Sequence, residues 1–115
     1  MRHRVKKAKK LGKGSQHRKK LLRSLASSVI VHEKIVTTQA NAKAVRSYVD
    51  KMITKGKIAT LHAKRQLFSD LNQNAARKVI EILGDRYKQR TGGYTRILIS
   101  GKSKDGMNKY LVELV

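Results

Sequence analysis

The sequence predicts an α+β domain: a helix, a strand, three more helices and two closing strands, with the helices packed on one face of a small mixed three-stranded sheet. Three observations predict it. From Gln16 to Gly84 apolar residues recur at three- and four-residue spacing, the mark of amphipathic helices. One short β-branched run, Lys34-Ile35-Val36-Thr37-Thr38, breaks that pattern. After Gly92-Gly93 the chain alternates with a period of two and turns back through Asp105-Gly106, a hairpin signal. Helices followed by strands in this order suit a layer of helices on a sheet.

The elements follow in order. Residues 1–15 form a basic arm and residues 16–115 a single folded body. The stretch Met1–Lys13 has only Val5, Ala8 and Leu11 as aliphatic side chains besides its first residue, too few to offset its ordering entropy, so it is expected to order on a partner. Ser15 is expected to cap a first helix from Gln16, whose stripe is Leu22, Leu25 and Val29. The β-branched run from Lys34 is the first strand. Thr38 then caps a second helix with Val45, Tyr48, Val49, Met52 and Ile53 on one face, and Gly56 is read as its stop. A shorter helix runs near Ile58 to Phe68, with Leu61, Leu67 and Phe68 buried. Asp70 or Asn72 caps a fourth, which places Ala76, Val79, Ile80 and Leu83 inside and ends at Gly84. Thr95, Ile97 and Ile99 share one face of the next strand, with Tyr94, Arg96 and Leu98 on the other. The run Lys109 to Leu114 closes the sheet.

Charge sets the functional class. The chain carries a formal +21, and its distribution is uneven: +11 over residues 1–32 with no acid, +8 over 33–91 and +2 over 92–115. Such self-repulsion is relieved by a polyanion, and nucleic acid is the commonest one. A long flexible arm without a zipper or helix-turn-helix beside it favours irregular RNA over plain duplex DNA. The arm has no large apolar face for a membrane surface. No run approaches the length of a membrane span, and the charged start lacks the apolar stretch of a secretory signal, so a cytoplasmic protein is expected.

Catalytic chemistry is not apparent. Cysteine is absent, which excludes disulfides and thiol chemistry. His3, His17, His32 and His62 do not stand at metal-ligand intervals, so neither a metal nor a cofactor is expected. The binding candidates are instead cations and planar groups. Arg2, Arg4, Lys6, Lys7, Lys9, Lys10 and Lys13 on the arm, with Arg18, Lys19 and Arg23 on the first helix, supply attraction to phosphates. His3 and His17 are suited to phosphate contact or stacking. Lys43 and Arg46, three residues apart on a helix, share one face and can straddle a phosphate row. Gly92-Gly93 reads either as a tight strand entry or as a place where backbone approaches a phosphate, and flanking Arg90 and Arg96 favour the second. Tyr94 reads either as a stacking platform or as sheet packing.

The motifs together resemble a known family. Met1-Arg2-His3-Arg4, Ser15-Gln16-His17-Arg18, His32-Glu33-Lys34-Ile35-Val36-Thr37-Thr38, Ala42-Lys43 with Arg46 and Lys51-Met52-Ile53-Thr54, Arg90-Thr91-Gly92-Gly93-Tyr94-Thr95-Arg96-Ile97 and Val112-Glu113-Leu114-Val115 occur in the order of the bacterial large-subunit ribosomal protein L-seventeen family. The resemblance covers nearly the whole chain. It implies a structural constituent of the large ribosomal subunit, bound to large-subunit ribosomal RNA near the polypeptide exit side, among neighbouring ribosomal proteins and without catalysis. It adds Ser15, Thr37 and Thr38 to the RNA-facing set of Arg2, His3, Arg4, His17, Arg18, Lys43, Arg46, Arg90, Gly92, Gly93, Tyr94 and Arg96. The hairpin tip, Gly101-Lys102-Ser103-Lys104-Asp105-Gly106, is shorter than is common in the family and reverses its Gly-Asp order.

Overall fold

A computed structural model describes residues 14–115. Residues 1–13 of the expected arm, and with them Arg2, His3, Arg4, Lys6, Lys7, Lys9, Lys10 and Lys13, lie outside the described residues, and Ser15 belongs to the first helix. The body is α+β, with elements in the expected order: α1 (Ser15–His32), β1 (Lys34–Thr37), α2 (Gln39–Ile58), α3 (Leu61–Asp70), α4 (Gln73–Lys78), a π-helical segment (Val79–Leu83), α5 (Gly84–Arg86), β2 (Thr95–Lys102) and β3 (Asn108–Leu114). Among the described residues no helix is long and apolar enough to cross a membrane.

The sheet is antiparallel throughout rather than mixed. The last strand lies in the middle, in the order β1-β3-β2, with Ile35 and Ile97 both opposite Val112. A hairpin makes β2 and β3 antiparallel, and β1 enters beside β3 from the α1 corner in the opposite sense to it. The row Ile35–Val112–Ile97 faces α1 and α2, while Val36, Leu98 and Arg96 stand on the open face. Ile99 breaks the expected alternation. It is 67% exposed, just before the bulge at Gly101 where the hairpin leaves the body. One core joins Val29 and Ile30 of α1, Val45, Val49 and Ile53 of α2, Leu67, Leu71, Val79, Leu83, Tyr87, Tyr94 and Val112.

Helix boundaries differ from the sequence reading where glycine is concerned. Gly14, with extended backbone, holds the N-cap position of α1, and Ser15 is already helical, so its hydroxyl is not a cap. Thr38 does cap α2, accepting from the Asn41 N–H at 3.4 Å. Gly56 does not stop that helix. It runs on to Ile58 and ends where Ala59 turns left-handed at φ 59°. Thr60 then caps α3, accepting from Ala63 N–H at 3.1 Å. Leu61 and Phe68 on α3 are exposed, and the buried positions are Ala63 and Leu67. Asn72 occupies the N-cap position of α4 without a side-chain bond, and its own N–H donates to Ser27 Oγ at 3.0 Å.

Gly84 does not end the fourth helix either. Its N–H bonds to the Val79 carbonyl five residues back, the wider turn of a π-helix, and the helix continues to Arg86. Both glycines serve a close crossing. A Cβ on Gly56 would stand 2.4 Å from Val79 Cγ1, and one on Gly84 would stand 3.0 Å from the Gly56 carbonyl oxygen. Glycine here lets two helix backbones approach.

Gly56→Ala therefore sets two effects against each other. Helix propensity favours alanine by about 1 kcal/mol. Overpacking a filled contact costs about 1–3 kcal/mol, and the overlap with Val79 leaves little room to relax. Urea unfolding should show net destabilisation of Gly56→Ala, partly relieved when Val79→Ala is added; a stabilised Gly56→Ala would refute the crossing.

Candidate nucleic-acid interface

Acids are few, and the body uses them at its seams. Glu33, at the α1–β1 corner with φ 64°, accepts from Arg86 of α5 and pairs with Lys78 of α4 at 3.4 Å. Asp50 of α2 accepts from Thr95 Oγ of β2 at 3.0 Å. Asp70 pairs with Lys55 of α2 at 3.3 Å. Glu113 of β3 pairs with Arg96, directly opposite on β2. These contacts fasten helix to helix, helix to sheet and strand to strand.

The pairing sorts the cations. Arg96 is already neutralised by Glu113, so among the expected binding residues its charge is the least free. His17, Lys19, Arg23, Lys43 and Arg46 are exposed and Arg18 is half-buried; none joins a salt bridge among the described residues. Arg23 also donates to the Leu71 carbonyl at 3.2 Å, which holds the middle of α1 against the α3–α4 link.

The expected residues are not gathered into one pocket. Lys19 and Arg23, with Lys20, border a recess floored by Tyr48 and Asp70. Thr37 and Thr38 border a second, closed on its other side by Ser103 and Lys109 of the hairpin. Gly92 and Gly93 border a third, facing Lys51, Thr54 and Lys55 of α2. The first is rich in cations, while the second is lined by both Lys109 and Asp105 and the third by Lys51, Lys55 and Asp50. Among the described residues no group of three metal-ligating side chains is close enough to hold an ion.

Tyr94 resolves one open alternative. Its ring is 1% exposed, tilted against Tyr87 with centroids 5.2 Å apart, and is thus core rather than a platform for a base. Lys57 lies over the same ring, its Nζ 5.1 Å from the centroid, and donates to the Tyr94 hydroxyl at 2.9 Å and to the Arg90 carbonyl. Arg90 Nε in turn donates to the Gly92 carbonyl at 3.1 Å. Lys57 escaped the sequence reading because a lysine near a helix end looks solvated; only the return of the chain at residues 90–94 supplies its partners.

A family model described as "Ribosomal protein L17" matches residues 21–115. The chain belongs to the Ribosomal protein L17 family. The large ribosomal subunit protein bL17 of Endomicrobium trichonymphae is 46% identical over 92% of this chain and 92% of its own length. That of Halalkalibacterium halodurans is 44% identical over 92% and 97%. That of Syntrophotalea carbinolica is 41% identical over all of this chain and 75% of its own. Family membership makes the chain a structural protein and not an enzyme.

Glu33 makes the seams testable. The Arg86 hydrogen bond holds its carboxyl below the usual 4.5, against the opposing effect of burial and with the charges of Lys78 and Arg86 assisting. A depressed folded pKa gives stability that is present above the unfolded value and lost as pH falls through the folded one. Asp50 works in the opposite direction: burial raises its pKa, so its ionisation weighs against folding as pH rises. Glu33→Gln should therefore lose less stability than wild type on acidification below about pH 4.5, measured by thermal unfolding across pH. Parallel pH profiles would remove Glu33 from the fastening.

Proposed function

We propose that this protein is a structural constituent of the large ribosomal subunit that binds large-subunit ribosomal RNA near the polypeptide exit side, beside neighbouring ribosomal proteins, in the cytoplasm. Membership of the Ribosomal protein L17 family supports the ribosomal role. The observation that carries the RNA reading is the sorting of charge. Four of the seven acids are tied up at internal seams, and the outward faces of α1 and the start of α2 keep cations that join no salt bridge among the described residues. The acid-free run of residues 1–32 places the arm's charge next to the α1 face.

In this reading lysines and arginines provide attraction that is indifferent to sequence, and the shape of the body provides the fit. The arm, residues 1–15, reaches between RNA helices and orders there, and the body, residues 16–115, docks as a unit.

Removing residues 1–13 deletes seven cations. Binding to large-subunit RNA fragments should weaken, and the slope of log affinity against log salt should fall by up to roughly 5 to 6. The thermal midpoint of the body should stay within a few degrees, because the core begins at Ala26. The full chain should also prefer large-subunit RNA to duplex DNA at matched salt. Equal affinity for both would turn the reading into a general nucleic-acid compactor, and unfolding of the truncated chain would refute the separation of arm and body.

A further inference from the structure

We propose that the recess between α2 and the loop from Arg90 to Tyr94 is a seat for one backbone phosphate of RNA, built from the N–H groups of Thr91, Gly92 and Gly93 and the Lys51 ammonium. The proposal rests on the RNA-binding reading above and adds a defined contact to it.

The hydrogen bonds of the loop carry the argument. Three of its carbonyls are bound from within: Arg90 by Lys57 Nζ, Gly92 by Arg90 Nε at 3.1 Å and Tyr94 by the Val115 N–H at 2.9 Å. The Arg90 N–H is also used, bonding to the Tyr87 carbonyl at 3.0 Å. Among the described residues the N–H groups of Thr91, Gly92 and Gly93 have no acceptor, and all three residues are exposed. Consecutive unpaired donors on an exposed loop make a backbone surface suited to an anion.

Gly92 supplies a second observation. Gly93 has φ +63° and is glycine for its backbone. Gly92 has no such angle, and a Cβ there would meet nothing within 4 Å. The fold itself therefore makes no demand for glycine at 92. A phosphate resting on the 91–93 backbone makes one, because a side chain would hold it off.

Charge agrees. Lys51 is exposed on the α2 side of the recess and joins no salt bridge, whereas Lys55, one turn on, is shared with Asp70. Thr54 lines the recess but donates its hydroxyl back to the Asp50 carbonyl at 3.0 Å, so it contributes shape. Asp50 also lines it, with its carboxylate accepting from Thr95 Oγ at 3.0 Å. Buried Tyr94 and Lys57 hold the loop from behind and act as positioning residues.

Two measurements on the full-length protein test the seat. In the first, inorganic phosphate is titrated against chloride at matched ionic strength while backbone amide resonances are followed. Saturating shifts at Thr91, Gly92 and Gly93 that disappear in Lys51→Gln support the seat; no selective shift there overturns it. In the second, affinity for large-subunit RNA is measured for Lys51→Gln, Gly92→Val and the double variant. Each single change should weaken binding about five- to tenfold at low salt with an unchanged thermal midpoint, and the double should be no worse than about the stronger single. Phosphate binding with RNA affinity unmoved by either change would make this a site for free anions and overturn the RNA assignment. A wild-type chain that fails to bind large-subunit RNA would defeat the functional reading, and the phosphate titration would still decide the seat.

Discussion

The structure depends on a shortage of acids. With 28 lysines and arginines against seven aspartates and glutamates, repulsion works against any compact state of this chain. The body answers by setting four carboxylates at seams: Glu33 between the α1–β1 corner and the last helical turns, Asp50 between α2 and β2, Asp70 between α3 and α2, and Glu113 across β3 and β2. Glu33 and Asp50 join elements distant in sequence, and Asp70 and Glu113 join successive ones. Partly exposed pairs of this kind contribute modestly one by one, so their value lies in removing repulsion where elements must meet. The apolar core then sets the arrangement, and the Gly56–Val79–Gly84 crossing brings α2 close enough to shape the recess opposite Gly92 and Gly93.

The proposed RNA binding draws on the same shortage. Cations that fasten the fold, such as Lys55, Lys78, Arg86 and Arg96, point at carboxylates. Those on the outer faces of α1 and the start of α2 join no salt bridge among the described residues. In the RNA-binding reading, phosphates outside the chain complete a surface with this excess. Lys57 marks the boundary between the two groups: a cation used neither for a carboxylate nor for solvent, but for a carbonyl, a phenol hydroxyl and an aromatic face.

Much of this was legible in the residues. The strand from Lys34, the Thr38 cap and the Asp-Gly hairpin are local signals, and each appears where its chemistry places it. Gly56 and Gly84 misled because a glycine inside a helical pattern looks like a terminator, and a close crossing is visible only once the partner helix is in place. Leu61 and Phe68 misled because α3 is short and only a narrow stripe of it, Ala63 and Leu67, meets the body. Strand direction was misjudged because nothing local tells which strand takes the centre of a sheet. Of the candidate site, the outward cations of α1 and α2 were readable from helical phase. The burial of Tyr94 and the part of Lys51 were not, because both depend on where residues 90–94 return against α2.

The claim that this chain is an integral part of the large ribosomal subunit is tested most directly by sedimenting a cell lysate through a high-salt gradient and locating the protein. The account predicts co-migration with the large subunit, with release only at salt that also strips other core components. Recovery at the top of the gradient, or with bulk DNA, would contradict it.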